Sequence, residues 1–307
     1  MHSYEILLWI GLLFTLLFVF GFSLRFLKVP YILSFMLAGL VGKELFHEKV
    51  IEWVTFLEHS AVIFLFFFIG LEYSFERFGA MRNILKPGLA DLISIILLSL
   101  LSGGINSGQE EPTFLLLRSF LSLIVFFFAF YLLRNLAYRA VGEIDKISEE
   151  TIFPFLIVGT LLLLCGLGEW MGVSSALIAF MLGVIVPEDS LTYKTVEEKL
   201  ADLKELALGV FFFSFTYSAN ISFDQNLYLL ITLLLLSLIT KLISTYWGAR
   251  LYGLSKRVSI RASLSFLAGG EFSLIFASLL PSTQALVFLV VLITSILGSI
   301  SFVYTPK

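Results

Sequence analysis

A single cysteine, Cys165, stands among the 307 residues, so no intrachain disulfide can form. Only three histidines occur, His2, His47 and His59, too few and too scattered to suggest a resident metal cluster. Charged residues make up 14% of the chain, too little to clothe a soluble protein of this length. The formal net charge of −3 provides no basic field for nucleic acid. HExxH, GxSxG, the P-loop and GxGxxG are all missing. Neither an enzyme nor a cofactor is expected. What the chain has instead is apolar: 59% hydrophobic residues, 33 phenylalanines and a mean hydropathy of +0.99. The run from Ile6 to Phe22 is too long for a signal peptide, and no small-residue cleavage site follows it. The composition is that of an all-α polytopic membrane protein in a lipid bilayer.

Runs of roughly 17–25 apolar residues mark membrane-crossing helices. Eleven spans are expected, at 5–25, 30–45, 57–75, 88–104, 114–137, 151–170, 173–187, 204–221, 226–249, 262–280 and 283–304, with 30–45 and 173–187 short. Charge placement supports the count, because 16 of the 20 basic residues fall after odd-numbered spans. The positive-inside bias then puts the N-terminus outside and the C-terminus in the cytoplasm, a prokaryotic plasma membrane being the expected setting. The polar connection from Pro187 to Leu203 reads as an amphipathic cytoplasmic helix, and Gly103 to Pro112 as an outside loop.

Two segments recur. ILSFMLAGLV (Ile32 to Val41) resembles LIAFMLGVIV (Leu177 to Val186) at an offset of 145, and LEHSAVIFLFFF (Leu57 to Phe68) resembles LKELALGVFFFS (Leu203 to Ser214) at 146. Spans two and three therefore match spans seven and eight. A separation of five spans inverts one copy against the other, the arrangement of many secondary transporters; shared membrane composition is the bland alternative. The division expected is a shortened first repeat over 1–104, a linker helix within 105–150 and a second repeat over 151–307.

Ionisable groups at membrane depth are costly, ~2.5–3.5 kcal/mol each on insertion scales, and need a reason. Glu271 interrupts SLSFLAGGEFSLIFASLL. Its ten-residue distance from Arg261 is a depth of ~15 Å at helical rise. Lys241, in LITKLIST, lies nine residues from Arg250 and so ~13.5 Å deep. The two opposite charges share one slab of the membrane, although Lys241 has the alternative of snorkelling toward the cytoplasm. Gly269 and Gly270 weaken the helix before Glu271 and suit a broken crossing whose ends handle ions. Close helix packing is the other use for them. Asp91, five residues past Lys86, is a candidate site for a proton and a cation, or merely a complement to a helix N-terminus. Glu58, Glu72 and Glu169 read as solvated helix ends.

These segments also carry a likeness. VPYILSFMLAGLVGKELF, EHSAVIFLFFFIGLEYSFERF, GVSSALIAFMLGVIVPEDS, LGVFFFSFTYSANISF, the lysine of LITKLIS and LAGGEFSLIF resemble, in order, the membrane domain of sodium/proton exchanger-like cation:proton antiporters. Within that family they most resemble the branch related to glutathione-gated potassium efflux systems. The resemblance implies inverted repeats, a homodimer and exchange of Na⁺ or K⁺ for H⁺. By the same resemblance Gly270-Glu271-Phe272 lies in a broken helix, and Lys241 is the core lysine. Asp91 is the ion-binding aspartate if span four ends the first repeat; the other placement makes span four an earlier helix of the family. The departures are a gap of about two helices between Arg82 and span four, and alanine at position 90, where relatives place Asp, Asn or Gln. A non-transporting membrane scaffold and, less so, a passive channel are the rival functions. No metal is implied beyond the transported cation.

Overall fold

The computed structural model describes residues 3–26, 29–45, 50–72, 152–170, 174–187, 189–219, 227–265 and 284–304, with isolated positions at 139, 141–143, 274 and 277. Among the described residues every regular element is a helix. These are α1 (Ser3–Arg25), α2 (Tyr31–Leu45), α3 (Ile51–Glu72), α4 (Phe153–Trp170), α5 (Ser175–Ile185), α6 (Leu191–Lys199), α7 (Ala201–Ser218), α8 (Leu227–Leu251), α9 (Lys256–Ser265) and α10 (Gln284–Tyr304). Four of them, α1, α3, α4 and α8, are long and apolar enough to cross a membrane.

Local chemistry explains several boundaries. Glu5 in the first turn of α1 and Arg25 in its last complement the helix dipole. Ser190 caps α6 by accepting the Tyr193 N–H at 3.1 Å, while its own hydroxyl donates to the Pro187 carbonyl. The amphipathic surface helix expected between Pro187 and Leu203 is thus α6, and α7 starts directly after its cap at Leu200. Gly253, with φ of 81°, turns the chain out of α8; the Gly253 N–H bonds the Arg250 carbonyl and the Leu254 N–H that of Ala249.

Two helices depart from the expected limits. α3 starts at Ile51 rather than 57, because Ile51 to Phe56 continues the helix through a stretch interrupted by Glu52 and Thr55 that ends the apolar run early. α9 starts at Lys256 rather than 262 for the same reason: KRVSIRAS is helical but basic. Spans 88–104 and 114–137 lie outside the described residues.

The chain divides into two units. The first, Met1–Glu58 with Gly209–Lys307, packs α1 on α2 and α8 on α9 and α10. Its core includes Leu13, Met36 and the run Phe211, Phe212, Phe213 and Phe215. Every position from Gly209 to Tyr217 is buried, so this part of α7 is enclosed on all sides. α2 reaches it backbone to backbone. A Cβ added at Gly39 would strike the Phe213 carbonyl oxygen and lie 3.0 Å from Thr216 Cβ.

The second unit, His59–Leu208, packs α4 on α5 and α6. Phe66, Phe67, Phe180 and Cys165 are in its core. Here α3 and α5 cross through Gly70 and Gly183. A Cβ at Gly183 would strike the Phe67 carbonyl oxygen and lie 2.8 Å from the Leu71 nitrogen. A Cβ at Gly70 would strike the Phe180 carbonyl and lie 3.0 Å from Gly183 Cα. Small residues at such crossings are what apolar surroundings favour, since packing there rests on close contact.

Candidate functional site

Lys241 sits on α8, fourteen residues in from Leu227, and is half-buried, with the Ser244 hydroxyl donating to its backbone carbonyl at 3.2 Å. Asp91, Gly269, Gly270 and Glu271 lie outside the described residues. Two positions of the same segment, Leu274 and Ala277, are described and buried.

The described polar contacts gather elsewhere, at the ends of α3 and α7. In the first unit, Ser218 Oγ donates to Glu58 Oε2 at 3.2 Å. Beside it, Lys43 Nζ donates to the Ala219 carbonyl at 2.7 Å, placing a cation against the C-terminal end of α7, where the helix dipole favours one. Glu58 was expected as a solvated helix end. It lies instead seven residues inside α3 and is half-buried, because the helix begins earlier than its apolar run. One turn deeper on α7, Ser214 is fully buried and its hydroxyl has no hydrogen-bond partner among the described residues.

In the second unit, Lys204 Nζ donates to Glu72 Oε1 at 2.6 Å, with both side chains substantially exposed. His59 Nε2 lies 3.0 Å from Glu169 Oε2 and 3.2 Å from Ser175 Oγ. One ring nitrogen thus serves both neighbours, so the three do not form a relay through the imidazole, which needs both nitrogens. Glu72 and Glu169 are exposed ends, as their positions in the sequence suggest. Among the described residues no three of His, Cys, Asp or Glu converge to hold a metal ion.

Sequence reasoning missed the Glu58–Ser218 and Lys43–Ala219 contacts. One signal was present: the offset of 146 sets Glu58 over Lys204 and Glu72 over Ser218, two residues of one contact over two of the other.

Residues 86–305 match the family described as sodium/hydrogen exchanger, transmembrane. The chain is 25% identical to the ammonium/H(+) antiporter subunit AmhT of Alkalihalophilus pseudofirmus, over 97% of this chain and 92% of that one. It is 26% identical to the Na(+)/H(+) antiporter of Enterococcus hirae, over 63% and 51% of the two chains. A further similarity of 26%, over 62% and 46%, is to the K(+)/H(+) antiporter subunit KhtU of Bacillus subtilis. The matches to these last two take in about half of their length. The alignment with AmhT runs to 366 positions against 307 residues here, so at least 59 positions of it have no counterpart in this chain.

Proposed function

The chain belongs to the sodium/hydrogen exchanger family, and from that premise we propose that it exchanges a monovalent cation for H⁺ across the membrane. The observation that carries this is the extent of the family match, which takes in Asp91, Lys241 and Gly269 to Glu271 in one continuous region. The similar proteins are named for ammonium, Na⁺ and K⁺, and all three names include H⁺. A common chemistry supports the class of cargo: one positive charge, exchanged for a proton at a carboxylate.

In this reading Asp91 binds cation and proton alternately. A single carboxylate holds one positive charge at a time, so each arrival displaces the other. Lys241 stabilises the empty carboxylate and competes with the cation for it. Gly269 and Gly270 break the tenth span, and Glu271 completes the polar region there. The N-terminus lies outside and the C-terminus in the cytoplasm, and two copies form the working dimer.

The reading includes two inverted repeats, 1–104 and 151–307, with 105–150 between them. Contacts at nearly matching positions support it: the offset of 145 sets Gly39 over Val184, one residue past Gly183. Gly39 meets the Phe213 carbonyl, and Gly183 meets that of Phe67, 146 residues before Phe213. Thr216, also against Gly39, corresponds at the same offset to Gly70, against Gly183. The AmhT positions without a counterpart in this chain are enough for two membrane-crossing helices of about 20 residues each. Their place in this reading is between Arg82 and Asp91, where the first repeat is short.

The test is purified protein in liposomes with an imposed pH gradient. Addition of Na⁺, K⁺ or NH₄⁺ is expected to drive proton flux that Asp91→Asn abolishes. Folded, dimeric protein without flux would overturn exchange in favour of a scaffold, and voltage-driven flux without proton coupling would make it a channel.

A further inference from the structure

Glu58 is not among the residues to which the exchange reading assigns a role, yet its setting is unlike that of an ordinary helix end. It lies ~10.5 Å along α3 from Ile51 at helical rise, inside a helix long and apolar enough to span a membrane. Its carboxylate is half-buried and accepts a hydrogen bond from Ser218 Oγ. Among the described residues no ion pair involves Glu58, and Lys43 Nζ donates to the Ala219 carbonyl. His59, the next residue, is taken up by Glu169 and Ser175. A mere tie between α3 and α7 needs only a neutral acceptor, and a carboxylate is a costly way to make one at this depth.

Ser214 adds a second observation. It stands four residues before Ser218, hence on the same face of α7 and ~6 Å deeper. Its hydroxyl is fully buried and without a partner among the described residues, a condition that buried polar groups rarely keep unless they handle water, an ion or a proton. Between the two, Thr216 is occupied by its bond to the Phe212 carbonyl at 2.8 Å. Against one face of α7 thus lie the Glu58 carboxylate of α3, at the helix end, and the hydroxyls of Ser218 and Ser214 leading inward.

We propose that Glu58 is a second proton-binding carboxylate of the exchanger, loading protons at the Ser218 end of α7 and passing them inward toward Ser214. The step balances. Glu58 takes one proton from water at the end of α7 and becomes a neutral acid. It then gives that proton to Ser218 Oγ, whose own hydrogen passes to a water bridging the ~6 Å to Ser214. The carboxylate is restored and that water, as hydronium, carries the proton on. Ser218 is a positioning residue in this scheme. The proposal rests on the exchange reading for its purpose, but uptake of a proton by Glu58 is measurable without transport.

Glu58→Gln is the decisive variant, since the amide oxygen still accepts from Ser218 while the proton site is gone. In liposomes, exchange by Glu58→Gln is expected to fall by about a hundredfold, the low end for a positioned proton-transfer group, with Glu58→Asp restoring part of it. Ser218→Ala, which keeps the carboxylate, is expected to shift the pH profile of exchange. Infrared difference spectra on acidification, recorded on the same samples, are expected to show a carboxylic-acid band in the wild type that Glu58→Gln lacks. Wild-type exchange rates and pH profile in Glu58→Gln, or an unchanged acid band, would overturn the proposal. If the wild type itself shows no exchange, that reading fails, and the infrared band alone then decides whether Glu58 takes up a proton.

Discussion

Ser218 Oγ reaches Glu58 Oε2 at 3.2 Å, and the same meeting of helix end with helix start recurs where Lys204 Nζ reaches Glu72 Oε1 at 2.6 Å. Lys204 is 146 residues after Glu58, and Glu72 is 146 before Ser218. The exposed pair is a surface salt bridge, of small value in water, whereas the half-buried one holds a carboxylate out of solvent. Thermal unfolding in detergent is expected to show Glu72→Gln within about 1 kcal/mol of wild type. Ser218→Ala is expected to cost about 1.5–3 kcal/mol, as for loss of a hydrogen bond to a charged group. Equal losses in the two variants would contradict this ranking.

The glycine crossings make a sharper demand. Gly39→Ala and Gly183→Ala each drive a methyl into a neighbouring backbone carbonyl and are expected to cost about 1–3 kcal/mol through overpacking. Gly159, with nothing within 4 Å of an added Cβ, is the control. Gly159→Ala is expected to be neutral or to stabilise α4 by up to about 1 kcal/mol through helix propensity. Melting temperatures of the three variants in one detergent check the order.

Cys165 reports on the second unit. Its side chain is fully buried in α4, with Sγ 3.5 Å from the Ser175 carbonyl. As the chain's sole thiol it is expected to resist a maleimide in the folded protein and to react fully after denaturation. Rapid labelling of folded protein would mean that α4 and α5 do not pack in this way.

The role proposed for Asp91 makes the pH dependence of exchange a competition at its carboxylate. Protonation removes the charge that holds the cation, so the half-saturating cation concentration is expected to rise as pH falls. For one-for-one competition the rise is about tenfold per pH unit below the carboxylate's apparent pKa. Transport assays at a series of fixed pH values measure it. A half-saturating concentration independent of pH would remove Asp91 from the exchange step.

Much of the helical layout was legible because apolar runs and basic connections carry it. α1, α2, α4, α5, α8 and α10 fall within a few residues of the expected spans. The starts of α3 and α9 were not, since hydropathy marks where a helix meets lipid and not where its hydrogen bonding begins. Lys241 was found as an isolated charge in an apolar run, and the structure adds its half-buried place on α8. Glu58 escaped notice for the converse reason. At the edge of its apolar run it looks solvated, and only the residue folded against it, 160 positions later, shows otherwise.

The crossing of α3 and α5 has a consequence for how this protein changes over generations. Gly70 and Gly183 press bare main chain against bare main chain, so neither position accepts even a methyl while its opposite helix stays put. A methyl at either position meets a main-chain carbonyl of the opposite helix, so a change at the other glycine relieves nothing. Lineages descending from this chain are expected to keep both glycines unless the helices move apart.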